Sequence, residues 1–254
     1  FIPPAEAGPI MEYTHRVLAA LSGLLILSAA IVGLTRTRRL LWISIPPVVA
    51  TLLLVEVSYF GAQVVLRGLS PGWAAVDVGS ALLVAALMVA SAVIASAHKH
   101  PAAKAYRLLF RTPFAKLVLS ITIVVYIILV SGILVAGKNS VTGCLGWPIY
   151  SQQLFQMDAH NAWENLRLIL SMIGIVLILA MLVQAWREKS VHSPVVHLAR
   201  WAGITFLLEM LVQVLILVFG HLVSLLVVYT ITMAVFWSLL AASLVKVGME
   251  NSQN

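Results

Sequence analysis

Glu12, His15 and Arg16 stand together in the run MEYTHR, just before the chain turns almost wholly apolar. Residues three apart share one face of a helix, so Glu12 and His15 can act on one object. An imidazole in such a place is a common axial ligand of heme iron. The neighbouring guanidinium suits a heme propionate, since arginine grips carboxylates through paired hydrogen bonds. The Glu12 carboxylate would tune the imidazole or handle a proton. A single histidine at a membrane boundary is equally compatible with a plain amphipathic edge, so the triplet gains meaning only from what faces it.

Further polar groups sit inside apolar sequence. Glu56 and Asp77 follow in the first half of the chain. His160, Trp163, Glu164, Arg167, Glu209 and Tyr229 follow in the second. An ionisable group facing lipid costs about 2.5–3.5 kcal/mol, so Glu56 and Glu209 are expected to face a bundle interior, as polar contacts between helices or as proton or substrate sites. The other histidines offer less, and there is no Cys-x-x-Cys-His heme attachment motif.

The elements that must carry these residues are membrane helices. The chain has 254 residues, 61% of them hydrophobic and only 10% charged, and its mean hydropathy is +1.03. Soluble domains carry about 25% charged residues. Apolar runs near the bilayer length of about 20 residues recur along the chain. They predict seven spans, at 15–35, 41–66, 73–97, 112–137, 162–186, 195–219 and 222–245. The runs do not alternate polar and apolar residues, as barrel strands must. Helices satisfy their own backbone groups in lipid, so an all-α integral membrane bundle is expected.

The net charge of +7 does not point to nucleic acid. If the spans alternate, twelve of the sixteen Lys and Arg residues fall on one side, including Arg36, Arg38, Arg39, Lys104, Arg187 and Lys246. Arg16, Arg67, Lys138 and Arg167 fall on the other. This positive-inside bias predicts a cytoplasmic C-terminus, an extracytoplasmic Phe1 and the Glu12/His15 cluster near the outer face of a cell membrane.

The chain also looks duplicated. MEYTHR, a basic loop, a helix with Glu56 and then RGLSPGWAAVD opening the next helix parallel HNAWEN, a basic loop, a helix with Glu209 and then FGHLVSLLVVY. Gly68 to Asp77 and Gly220 to Tyr229 are both nine positions apart. The second half has one extra helix in front, at 112–137. The expected layout is therefore two four-helix bundles in a pseudo-twofold arrangement of eight helices, with the first helix preceding Phe1. The division falls at 1–111 and 112–254. In the second-half outer loop, TGCLGWPIY holds the sole cysteine, Cys144, and Trp147 and Tyr150 are expected to anchor at the membrane interface.

These residues resemble the heme A synthase family, and the likeness covers nearly the whole chain. The family's Glu-x-x-His-Arg matches Glu12, His15 and Arg16. Its Gly-Leu-Pro-Pro-like turn matches GLSP, and Asp77 stands where the family places a histidine. Its loop Cys-x-x-Trp-Pro-x-Cys matches CLGWPIY, with Tyr150 in place of the second cysteine. Its His-x-x-His-Arg matches only at His160, because Trp163 and Glu164 replace the rest, and Tyr229 replaces the histidine of the last helix.

The resemblance implies eight helices in two halves, heme held between histidine pairs and oxidation of a heme O methyl group to a formyl. It also implies that His15 is an iron ligand, that Glu12 is the catalytic carboxylate, and that Arg16, Asp77, His160, Trp163 and Tyr229 line the pockets. With three of the four ligating histidines replaced, the expected function is that of a divergent member acting as an accessory or assembly subunit of a respiratory oxidase or related complex. The alternatives are heme A synthase activity with heme at His15, and a proton-coupled transporter using Glu56 and Glu209.

Overall fold

The structure, a computed structural model, describes residues 7–37, 40–67, 70–97, 108–136, 147, 162–187, 194–220 and 222–250, without the side chains of 7–9, 11–12, 64–67, 135–136 and 162–164. Within these residues the chain forms helices α1 (Ala7–Arg36), α2 (Leu41–Arg67), α3 (Pro71–Ala97), α4 (Pro113–Ala136), α5 (Ala162–Arg187), α6 (Pro194–Phe219) and α7 (Val223–Glu250). All seven are long and apolar enough to cross a membrane, and no strand occurs among the described residues. They are apolar all round rather than striped, as spans in lipid are. Large side chains such as Leu25, Leu52 and Val218 remain outward-facing.

Consecutive helices pack as neighbours, and the two halves meet where α3 touches α4 and α7. Helix α4 lies against α3, α5 and α7 and so closes the second half. Helix α1 has no such counterpart. Among the described residues its substantial packing is with α2.

Local chemistry explains several of these junctions. Pro47 within α2 lacks the N–H that would bond the Ile43 carbonyl. The Ser91 hydroxyl of α3 donates to that carbonyl instead, at 3.1 Å. Gly33 lets α1 approach α2 so closely that an added Cβ would lie 3.2 Å from the Ser44 backbone. Helix α6 ends at Gly220, whose φ of 81° is open to glycine and strained for most other residues, and its N–H closes onto the Ile216 carbonyl at 2.9 Å. That cap makes the turn into α7 tight. Between the halves, the Trp237 indole N–H of α7 donates to the Leu82 carbonyl of α3 at 2.9 Å.

The main core lies in the second half. Val118, Ile121, Val125 and Ile128 of α4, Ile178 and Met181 of α5, Phe206 of α6 and Phe236 and Leu240 of α7 are buried together. Among the described residues, the first half holds a small cluster around Ile26, Ala50 and Val84, and Ile94 packs with Val245 and Met249 of α7.

Candidate functional site

A cavity of about 970 Å³ opens between α1, α2 and α3. His15, Arg16, Ala19, Ala20 and Gly23 line it from α1. Leu54, Val57, Ser58, Gly61 and Ala62 line it from α2, and Asp77, Val78 and Ala81 from α3. Helix α2 forms the back wall. Helices α1 and α3 form the sides, and because they make little contact with each other the cleft is open between them. The space exists because the lining is small. Six of the thirteen residues are Gly or Ala, and an added Cβ at Gly61 would meet nothing within 4 Å.

The polar residues gather at one end of this cleft. His15 and Arg16 are on the first turns of the α1 span and Asp77 is on the second turn of α3. Glu56, half-buried on α2, lies with His15 within electrostatic reach of Asp77. One Asp77 carboxylate oxygen, Oδ1, is buried and has no hydrogen-bond partner among the described residues. The structure thus brings His15, Arg16 and Asp77 to one cavity, with Glu56 beside it. The Glu12 side chain lies outside the described residues, although its backbone belongs to α1.

The second half is built differently. Trp147 comes from the connection between α4 and α5 and is fully buried among α4–α7. Its ring centre is 5.4 Å from that of Phe206 and 6.1 Å from that of Phe236. Gly174 makes room for it on α5, where an added Cβ would be 3.8 Å from Trp147 Cζ2 and 3.0 Å from Ile128 Cδ1. The Tyr229 hydroxyl donates to the Trp147 carbonyl at 2.8 Å. The expectation of an interface anchor at Trp147 is therefore corrected. The gap between four helices buries more of the indole than the membrane boundary could.

Glu209 is also fully buried, and its Oε2 accepts a short hydrogen bond from the Thr232 hydroxyl of α7. Arg167 and Ser171 are buried on α5. The spacing from His15 to Trp163 carries Ala19 and Gly23 to Arg167 and Ser171, and the spacing from Asp77 to Tyr229 carries Ala81 to Met233. Each counterpart is larger, and each is buried. Larger side chains and the Trp147 wedge thus occupy the second half where the first half is hollow. The side chains of Trp163 and Glu164, and the residues His160, Cys144 and Tyr150, lie outside what the structure describes.

No group of three or more His, Cys, Asp or Glu residues suited to a metal ion occurs among the described residues. The residues present would fit one heme in the first-half cleft, held by a single imidazole. The cleft has the room, and His15 and Arg16 sit together at its polar end. They do not fit a heme in the second half, where Trp147 and Tyr229 fill the space. Sequence reasoning had no handle on Trp147 as a wedge, because a tryptophan in a Gly- and Pro-rich loop carries the same signature as an interfacial anchor. Comparison with protein-family models, with curated proteins and with solved structures finds no match to this chain.

Proposed function

We propose that the chain is a divergent relative of the heme A synthases that keeps one cofactor pocket, in its first half, and has converted its second half into a packed scaffold. The observation that carries this reading is the contrast between the two halves, an open 970 Å³ cleft beside His15, Arg16 and Asp77 against a core closed by Trp147, Phe206, Phe236 and Tyr229. In the cleft His15 would supply the axial imidazole and Arg16 the guanidinium for a propionate. Heme would contribute its iron. A reaction that relies on histidine pairs in both halves has lost most of its ligands here. The role that remains is that of an accessory or assembly subunit of a respiratory oxidase or related complex in the lipid bilayer.

The same reading includes an eighth helix. Helix α4 packs against α3, α5 and α7, and a helix packed against α7, α1 and α3 would be its pseudo-twofold counterpart. It would close the open side of the cleft and complete two four-helix bundles. The distribution of Lys and Arg supports a cytoplasmic C-terminus and a cleft mouth at the outer face of a cell membrane.

The test is a pigment analysis of the full chain purified gently from heme-replete membranes, with a reduced-minus-oxidised spectrum. The expected result is a Soret band that disappears in His15→Ala, together with co-purification of oxidase subunits. Absence of any Soret band, also after addition of hemin, overturns the pocket assignment. Recovery of the protein always alone overturns the accessory role, and conversion of heme O to heme A by the purified chain would establish the enzymatic alternative instead.

A further inference from the structure

We infer that the junction of α5 and α6 binds the headgroup of an anionic phospholipid, with Arg200 and Arg187 as its phosphate-binding residues. The site lies in the second half and is independent of the first-half pocket. Arg200 stands half-buried on the second turn of α6. Its Nε–H donates to the Ala185 carbonyl at 3.0 Å. That carbonyl is one of the last four of α5, which find no partner within their own helix. The guanidinium carbon also lies 5.6 Å from the ring centre of Trp186, within cation–π range. Two contacts to α5 thus hold the guanidinium plane before any ligand arrives. A guanidinium has N–H donors on Nε and on both Nη atoms. Among the described residues the Nη groups of Arg200 have no hydrogen-bond partner. A phosphodiester offers two anionic oxygens that match this fork.

The surroundings point to a lipid rather than a soluble anion. Trp186 and Trp201 stand beside the guanidinium and face outward, and indoles favour the headgroup level of a bilayer. Toward the middle of the bundle, Val183 and Leu179 of α5 and Ile204 and Leu208 of α6 follow at helical spacing, all apolar and outward-facing. Acyl chains hanging from a headgroup at Arg200 would lie along them. Charge selects an anionic headgroup over a zwitterionic one. Arg187, exposed as the last residue of α5, adds a second cation that would repel a choline group. The last two turns of α5 and the first two of α6 carry no Asp or Glu. The connection 188–193 lies outside the described residues, and its Glu188 and Lys189 balance in charge. A basic notch between membrane helices at headgroup level is the form that anionic-lipid sites take.

The experiment compares the full chain in nanodiscs of phosphatidylcholine alone with the same discs containing phosphatidylglycerol. Thermal melting reports stabilisation, and native mass spectrometry after transfer to detergent reports the lipid retained. The wild type is expected to melt higher with phosphatidylglycerol and to retain it in preference to phosphatidylcholine. Arg187→Gln combined with Arg200→Lys should weaken that retention by about tenfold or more, because one charge and the paired fork are lost. Arg36→Gln, an exposed cation at the end of α1, should leave it unchanged. Equal melting and retention with the two lipids overturns the inference. An equal loss in Arg36→Gln overturns it too, since the attraction would then belong to the basic face as a whole. Stabilisation by inorganic phosphate in phosphatidylcholine discs, as large as that by phosphatidylglycerol, overturns it in favour of a soluble anion. Should the double variant fail to fold, Arg187→Gln alone and the lipid preference of the wild type still decide.

Discussion

The Tyr229 hydroxyl donates a 2.8 Å hydrogen bond to the carbonyl of Trp147, tying the connection between α4 and α5 to the first turns of α7. The two residues are 82 positions apart, yet together they close the second half of the molecule. Trp147→Ala should cost about 3–5 kcal/mol, the range for removing a fully buried large aromatic. Tyr229→Phe should cost about 0.5–1.5 kcal/mol, with a further loss if the Trp147 carbonyl finds no other donor. Thermal melting in detergent should therefore rank the variants wild type, Tyr229→Phe, Trp147→Ala. Equal melting of Trp147→Ala and wild type would show that the indole does not hold the bundle.

The Glu209–Thr232 contact links α6 to α7 inside the bundle. The Thr232 hydroxyl also reaches the carbonyls of Val228 and Tyr229, each at 2.9 Å, so it is not stranded when Glu209 is lost. Glu209→Met should consequently be near neutral or mildly stabilising, because a volume-matched apolar side chain removes the desolvation cost of a buried ionisable group. A double-mutant cycle with Thr232→Val should give a coupling of about 0.6–1.7 kcal/mol. Zero coupling would mean that the contact contributes nothing to stability.

The first-half cleft depends on small residues. Gly61→Leu places bulk where an added Cβ meets nothing, so folding should survive, helped by up to about 1 kcal/mol of helix propensity. Hemin uptake should nevertheless fall at least tenfold, because the side chain projects into the cleft. Titration of hemin by absorbance, alongside a melting curve, separates the two effects. Undiminished uptake would place the ligand elsewhere.

Gly203 has the opposite environment. An added Cβ there would lie 2.6 Å from Leu182 Cδ1 and 3.1 Å from Leu182 Cβ, at the contact of α6 with α5. Gly203→Val should destabilise by about 1–3 kcal/mol through overpacking, outweighing any gain in helix propensity. Pairing it with Leu182→Ala should recover part of the loss. A melting temperature unchanged from wild type in Gly203→Val alone would show that α5 and α6 do not approach so closely.

The seven spans were legible in the sequence because insertion into lipid is decided by local hydropathy. A run such as 195–219 needs no knowledge of its neighbours, and the structure places that helix at Pro194–Phe219. The grouping of His15, Arg16 and Asp77 was legible too, since alternating spans bring the starts of α1 and α3 to one end of the bundle. What each half encloses was not legible. Whether a pair of helices leaves a cleft or a core depends on side chains supplied by other elements, and Trp147 comes from a loop whose composition resembles any interfacial turn. Hydropathy and spacing determined that this is a multi-helix membrane protein with polar groups clustered at helix mouths. Only the tertiary structure decided that one cluster borders open space while the other half is packed shut, because cavity volume is a property of several helices at once and no single stretch of chain encodes it.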